Sequence, residues 1–310
     1  MVEDPRWPNL FVVGAPKCGT TSIMSQLGEH PEVFVPEVKE PRYLDTDLTY
    51  THRTETQEAY LSLFEGGQGA QRRAEGTVFY LYSPAACRTI REETRDPRVV
   101  IMLRDPVEMV HSLHSQMVYT GNEQITSFEQ AWRAAPARRR GERLAPRTNP
   151  LEGLDYPWVG RYHEHVARYL DAFGDQALVL LLDDLKADPA GTYRRICEHA
   201  GIDPGYEPDL SAKNKNTQMR FAALRDVVRE PPRFVTSALS IFPASWRDAA
   251  RRAILQANTR EVPRDPLEPG LREELSTTFR DDVQALAELI DRDLSHWCAP
   301  RNRTEEKPEA

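Results

Sequence analysis

The stretch NLFVVGAPKCGTTSIMSQL, close to the amino terminus, constrains the fold more than any other part of the chain. Its first residues form a continuous apolar run, rich in β-branched and aromatic side chains, that stops at Gly14, as a strand buried on both faces does. From Thr20 the period changes. Ile23, Met24 and Leu27 fall on one helical face before EHP ends the pattern. A strand, a glycine loop and a helix, in that order, open a unit whose next strand runs parallel to the first.

Two later stretches repeat the pattern. In PRVVIMLRDPVEMVHSLHSQM the apolar run Val99 to Leu103 predicts a strand. Asp105 as N-cap, Pro106 at the first helical position and Glu108 just behind them predict the helix that follows. Arg104 then sits at the carboxyl end of a strand, with Ser112 about two turns into the helix by the periodicity of an α-helix. A third run, ALVLLLDD, lies between an amphipathic segment from Tyr162 to Phe173 and a helix near Ala190 to Ala200. The expected class is α/β: a P-loop-like, mostly parallel, doubly wound sheet flanked by helices. A single domain over 1–298 is expected, with a helical C-terminal part from about Arg225. There Val283, Leu286, Ile290 and Leu294 mark an apolar face.

Two stretches depart from this pattern. Residues 120–156, including PARRRGERLAPRTNP, are polar and rich in arginine and proline, so a mobile insertion rather than a core element is expected there. Residues 299–310 read as a disordered tail. The net charge of −8 over 310 residues argues against a nucleic-acid partner. Cys18, Cys87, Cys197 and Cys298 are scattered without C-x-x-C spacing or a partnered histidine cluster, so neither a zinc site nor a disulfide framework is expected and a reducing cytoplasm is the default. The first apolar run is too short for a signal or transmembrane segment. Oligomeric state is not legible.

The loop itself carries chemistry. Gly14 and Gly19 enclose four residues and threonines follow, as in G-x-x-x-x-G-K-[ST], but Thr20 stands where that motif requires lysine, and the lysine is Lys17. Ligands of parallel sheets lie beyond the carboxyl ends of strands, which puts the loop and Arg104 on one rim. Glycines that let N–H groups approach, the positive end of a helix, and the hydroxyls of Thr20 and Thr21 all suit an anion. One alternative is a magnesium-dependent P-loop nucleotide kinase, with VLLLDD supplying Asp183 or Asp184 for the metal; without lysine at position 20 that pairing is incomplete.

Taken together, APKCGTTSIMSQLGEHPEV, KEPRYLD and VVIMLRDPVEMVHSLHS resemble the sulfotransferases that use 3′-phosphoadenosine 5′-phosphosulfate (PAPS), in particular glycan-modifying and bacterial members. P-K-x-G-T-T is similar to their 5′-phosphosulfate loop, and R-D-P with a serine eight residues after the arginine is similar to their 3′-phosphate segment. The likeness continues through GRYHEHVARYLDAFGDQALVLLLDDLKADPAGTYRRICEHAGI to DRDLSHW. It implies PAPS as sulfuryl donor and no metal. Lys17 would reach the 5′-phosphate and the bridging oxygen and stabilise the leaving phosphate. Gly19, Thr20, Thr21 and Ser22 would line the 5′-phosphate. Arg104 and Ser112 would hold the 3′-phosphate, a task that suits the planar fork of arginine.

Transfer to a hydroxyl needs a base. Glu40 in KEPRYLD resembles the glutamate that serves as base in the family's K-E-P-H-F-F-type segment, with Lys39 lowering its pKa or touching the acceptor. An exposed Lys–Glu pair before a proline turn is the alternative. His30, His111 and His114 are rival bases. The sequence also departs from the family: where many relatives carry a lysine-serine-proline fragment before an aromatic, this chain reads EGTVFYLYSP, with Thr77 and Val78 and no lysine, which leaves open a module that binds adenosine bisphosphate without transferring anything. Cys18 reads as a packing residue. Lys213 and Lys215 are candidates for closing on the 3′-phosphate, a solvated loop being the equal alternative, and Arg138, Arg139 and Arg140 read as solvated. The expected acceptor is a hydroxyl of a small metabolite, glycoside or glycolipid, with specificity in Tyr43 to Tyr60 and Thr120 to Tyr156. The arginine and proline bias hints at a GC-rich bacterial source and natural-product tailoring.

Overall fold

The computed structural model describes residues 4–145, 148–210, 217–219, 259–261 and 266–299. Five parallel strands make the main sheet: β1 (Leu10–Gly14), β2 (Val33–Phe34), β3 (Arg72–Glu75), β4 (Arg98–Leu103) and β5 (Ala177–Leu181), in the order β2-β3-β1-β4-β5. The all-apolar strands β1 and β4 lie at its centre, Leu10 opposite Arg98 and Val12 opposite Val100, and are buried on both faces, as parallel strands covered by helices must be. The chain leaves β1 towards β2 and β3 on one side and leaves β4 towards β5 on the other. The crevice between the carboxyl ends of β1 and β4 is therefore the topological switch point, where ligands of open α/β sheets bind.

The helices that face this crevice start as their sequences predict. Helix α1 (Thr20–Leu27) has Gly19 as N-cap, in a left-handed conformation (φ 86°) and with no side chain to claim the first-turn N–H groups. Short α2 (Gln57–Ser62) is capped by Thr56, and α3 (Pro84–Glu93) by Ser83. Helix α4 (Pro106–Thr120) begins at Asp105, whose carboxylate accepts from the N–H of Val107 at 2.9 Å, with Pro106 in the first turn.

Between β4 and β5 the chain forms α5 (Phe128–Arg133), α6 (Ala135–Arg139), α7 (Tyr156–Val159) and α8 (His163–Phe173). The expectation that 120–156 is not a core element is corrected here. Phe128, Ala131, Trp132 and Tyr156 are buried, and Arg138, expected in solvent, is buried against Glu123 at 2.6 Å. The Tyr156 hydroxyl donates to the same carboxylate at 3.0 Å and Arg138 donates to the Leu154 carbonyl at 2.8 Å, so the buried charges are hydrogen-bonded as well as paired. Arg139 and Arg140 are exposed, on Asp155 and Glu142.

Strand β5 is followed by α9 (Leu182–Ala187) and α10 (Pro189–Ala200). The C-terminal helix Pro269–Leu289 packs Leu271, Leu275, Phe279, Val283 and Leu286 inward against α4 and α8. Of the apolar face read from the sequence, Val283, Leu286 and Leu294 are buried, while Ile290 caps the helix and stays half-buried. A short antiparallel pair, Thr217–Met219 with Thr259–Glu261, lies apart from the main sheet. Lys213, Lys215, residues 226–258 and 262–265, and the tail from Pro300 lie outside the described residues. No helix among the described residues is long and apolar enough to cross a membrane.

Candidate active site

Three segments meet at the switch point. The loop from Gly14 to Thr20 leaves β1 with its Ala15 N–H bonded to the Met102 carbonyl of β4 at 2.5 Å. Lys17 (φ 60°) and Gly19 (φ 86°) both take left-handed backbone. Such turns direct successive N–H groups into a concavity that accepts an anion. A Cβ on Gly19 would stand 3.0 Å from Leu185 and 3.1 Å from Leu182, so α9 walls the loop closely and residue 19 is confined to glycine by both space and φ. The loop and the uncapped helix terminus suit an anion such as a phosphate group.

Arg104 follows β4 on the same rim. Burial pushes the Cys18 thiol up to about 12, while the nearby charges of Arg104 and Lys17 pull against that rise. Cys18 is thus a buried, protonated packing residue, with its Sγ on the Pro16 carbonyl at 3.2 Å. Arg104 also pairs with Glu108 at 3.6 Å, the alternative reading for a strand-end arginine. Glu108 has a closer partner, Arg272 at 2.5 Å, so two guanidinium groups share one carboxylate. Arg272 was invisible in the sequence because it comes from the C-terminal helix. Ser112 is buried on α4, about two turns into the helix that Arg104 precedes.

The third segment, residues 37–54, carries Glu40. The Lys39 ammonium donates to the Thr21 hydroxyl at 2.5 Å and stands 3.9 Å from the Glu40 carboxylate, tying that carboxylate to the first turn of α1. Arg42 pairs with Glu40 at 3.2 Å and lies over the Tyr50 ring. Glu40 and Arg42 both hold φ 55°. Left-handed backbone at a non-glycine residue costs about 1–3 kcal/mol, and Lys17 and Glu40 both carry it. The rival histidines are core residues instead. His30 bonds the Asp203 carbonyl at 3.0 Å, His114 bonds the Ile125 carbonyl at 2.8 Å with burial lowering its pKa, and His111 packs against Phe128.

Asp183 and Asp184 do not lie ready for a metal. They fall in the first turn of α9, where Asp183 accepts from the Trp297 indole at 3.1 Å and Asp184 pairs with Arg292 at 2.7 Å. Among the described residues no group of three or more metal-ligating side chains forms.

Sequence reasoning missed a buried cluster beside the loop. Glu75, at the end of β3, accepts from the Tyr60 hydroxyl at 2.5 Å and from the Thr77 hydroxyl at 2.6 Å. Burial raises its pKa to about 7, against the pull of the Thr77, Tyr60 and Tyr80 hydroxyls. Asp45, wholly buried and bonded to the Tyr50 hydroxyl, is raised to about 6 by burial. A strand-end glutamate in EGT was the only available signal. Thr77 spends its hydroxyl on Glu75.

A family model described as Sulfotransferase domain matches residues 8–225. Heparan sulfate glucosamine 3-O-sulfotransferase 3B1 of Mus musculus is 26% identical over 200 residues, covering 63% of this chain and 46% of that protein. Heparan sulfate glucosamine 3-O-sulfotransferase 6 of Homo sapiens is 27% identical over 202 residues, covering 64% and 53%. The chain spans about half the length of the curated relatives it matches. Among solved structures, a sulfotransferase from Alicyclobacillus acidocaldarius is similar with a TM-score of 0.71 and 27% identity, covering 94% of this chain and 99% of that one.

Proposed function

The chain belongs to the sulfotransferase domain family, and from that membership we propose that it moves the sulfuryl group of PAPS to a hydroxyl of a glycoside, glycolipid or small metabolite. What supports this reading is the left-handed loop of Lys17 and Gly19 at the carboxyl end of β1, beside the end of β4 from which Arg104 follows, with Glu40 tied to the same loop through Lys39 and Thr21. Gly19, Thr20, Thr21 and Ser22 line the 5′-phosphate, and Arg104 with Ser112 holds the 3′-phosphate. The acceptor oxygen attacks sulfur as the bond from sulfur to the 5′-phosphate oxygen breaks. Glu40 takes the hydroxyl proton, and Lys17 meets the charge left on the departing phosphate. The products are a sulfate ester and 3′,5′-adenosine bisphosphate. The four free cysteines agree with action in the cytoplasm.

The named activities of the curated relatives favour a glycan acceptor. Transfer of label from sulfur-labelled PAPS to heparan sulfate oligosaccharides, simple glycosides and phenols tests this. A labelled product with at least one of them is expected, and Glu40→Gln should lower its rate about 10²–10⁴-fold while sparing donor binding. Undiminished transfer by Glu40→Gln removes Glu40 from the base role.

A further inference from the structure

Glu75 has no part in the proposed chemistry, yet its carboxylate is the hub of the buried cluster beside it. Its two oxygens take the hydroxyls of Tyr60 and Thr77, and the Tyr80 phenol stands beside it. The Tyr80 oxygen in turn accepts the backbone N–H groups of Tyr43 and Leu44, each at 3.1 Å. A phenol that accepts two amides keeps its own hydrogen to give, and the carboxyl group beside it is that of Glu75. Tyr60 reaches the same segment by its ring, which stacks on Tyr43 with centroids 4.5 Å apart. Glu75 therefore grips residue 43 twice, through its backbone and through its side chain. Residue 43 lies three positions after Glu40, separated from it by Pro41 and by Arg42 in left-handed backbone, so displacement at 43–44 carries over to Glu40.

We propose that Glu75 is a positioning residue that, through Tyr80 and Tyr60, fixes the backbone of residues 43–44 and thereby aims Glu40 at the loop. The functional half of this rests on Glu40 being the base.

Amide hydrogen exchange, read on peptides covering 40–46 and 12–27, tests it in the wild type, Glu75→Gln and Tyr80→Phe, with binding of 3′,5′-adenosine bisphosphate measured by calorimetry on the same samples. Tyr80→Phe deletes the link to the two amides while leaving Glu75 and Tyr60 in place, so it serves where Glu75→Gln folds poorly. The expected result is exchange at 40–46 at least tenfold faster in both variants. Exchange at 12–27 and affinity for the bisphosphate should stay within about twofold. Unchanged exchange at 40–46 in Tyr80→Phe overturns the proposal, as does acceleration spread equally over both peptides, which marks Glu75 as a general stability residue. A wild type that shows selective loosening in its variants yet binds no bisphosphate retains the structural link and loses the sulfotransferase reading, so the two failures are distinct.

Discussion

The loop from Gly14 to Ser22 and the segment of residues 37–54 touch across Thr21 and Lys39, and they are held by different means. The loop is built from contiguous sequence: a buried strand before it, a helix behind it, and left-handed turns at Lys17 and Gly19 between. The segment facing it is held by residues far away in the chain. Thr49 bonds Glu152 through its N–H at 3.0 Å and its hydroxyl at 2.8 Å, Thr51 bonds Asn149 at 2.6 Å, Tyr43 and Leu44 hang on Tyr80, and Asp47 accepts from the N–H of Ala85. Under the proposed function, donor binding rests on a local motif, whereas the acceptor side depends on long-range side-chain contacts that a different sequence could rearrange, so substrate choice could vary without disturbing the donor site.

That contrast predicts that the acceptor side is the one a distant substitution can collapse. Glu123→Ala leaves Arg138 buried without its partner and should cost about 3–5 kcal/mol in urea unfolding. A loss below about 1 kcal/mol would show that the ion pair does not anchor residues 120–156.

A smaller effect separates the regions by pH. Burial raises Glu75 to about 7 and Asp45 to about 6, from ordinary carboxyl values of 4.5 and 3.8. The folded chain then holds more protons than the unfolded one through that window, so their contribution to stability is fully present below pH 4 and lost as pH rises through about 6–7. The buried histidines His114, His165 and His199 have lowered pKa values and oppose this trend at the acid end. Comparison of variants removes them. The melting temperature of Glu75→Gln relative to wild type should climb between pH 5 and pH 8, whatever its offset, because the variant has no buried charge to form. A difference independent of pH contradicts the assignment.

The same division governs what the sequence discloses. The α/β class, the strands β1, β4 and β5, the caps at Asp105 and Pro106, and the placement of Lys17 with Arg104 on one rim all follow from short-range patterns, since apolar period and capping chemistry act within a few residues. Strand β3 was missed because RRAE is polar. Its Arg72 is buried only by virtue of the Ala200 and Asp96 carbonyls, which lie more than twenty residues away. Residues 120–156 were read as loop for a related reason: arginine-rich composition signals solvent unless a distant carboxylate such as Glu123 lies within reach of Arg138. Glu75 was passed over because a strand-end glutamate announces nothing until Tyr60 and Tyr80 converge on it.

The central claim is that the rim of Lys17, Gly19 and Arg104 is a site for a bisphosphorylated adenosine, and titration calorimetry tests it most directly. The wild type should bind 3′,5′-adenosine bisphosphate without added magnesium and in clear preference to Mg-ATP. Arg104→Ala should weaken that binding about 10–100-fold, the loss of a charge-assisted contact worth about 1.5–3 kcal/mol. Tight binding of Mg-ATP alone, or affinity for the bisphosphate unchanged by Arg104→Ala, would contradict it.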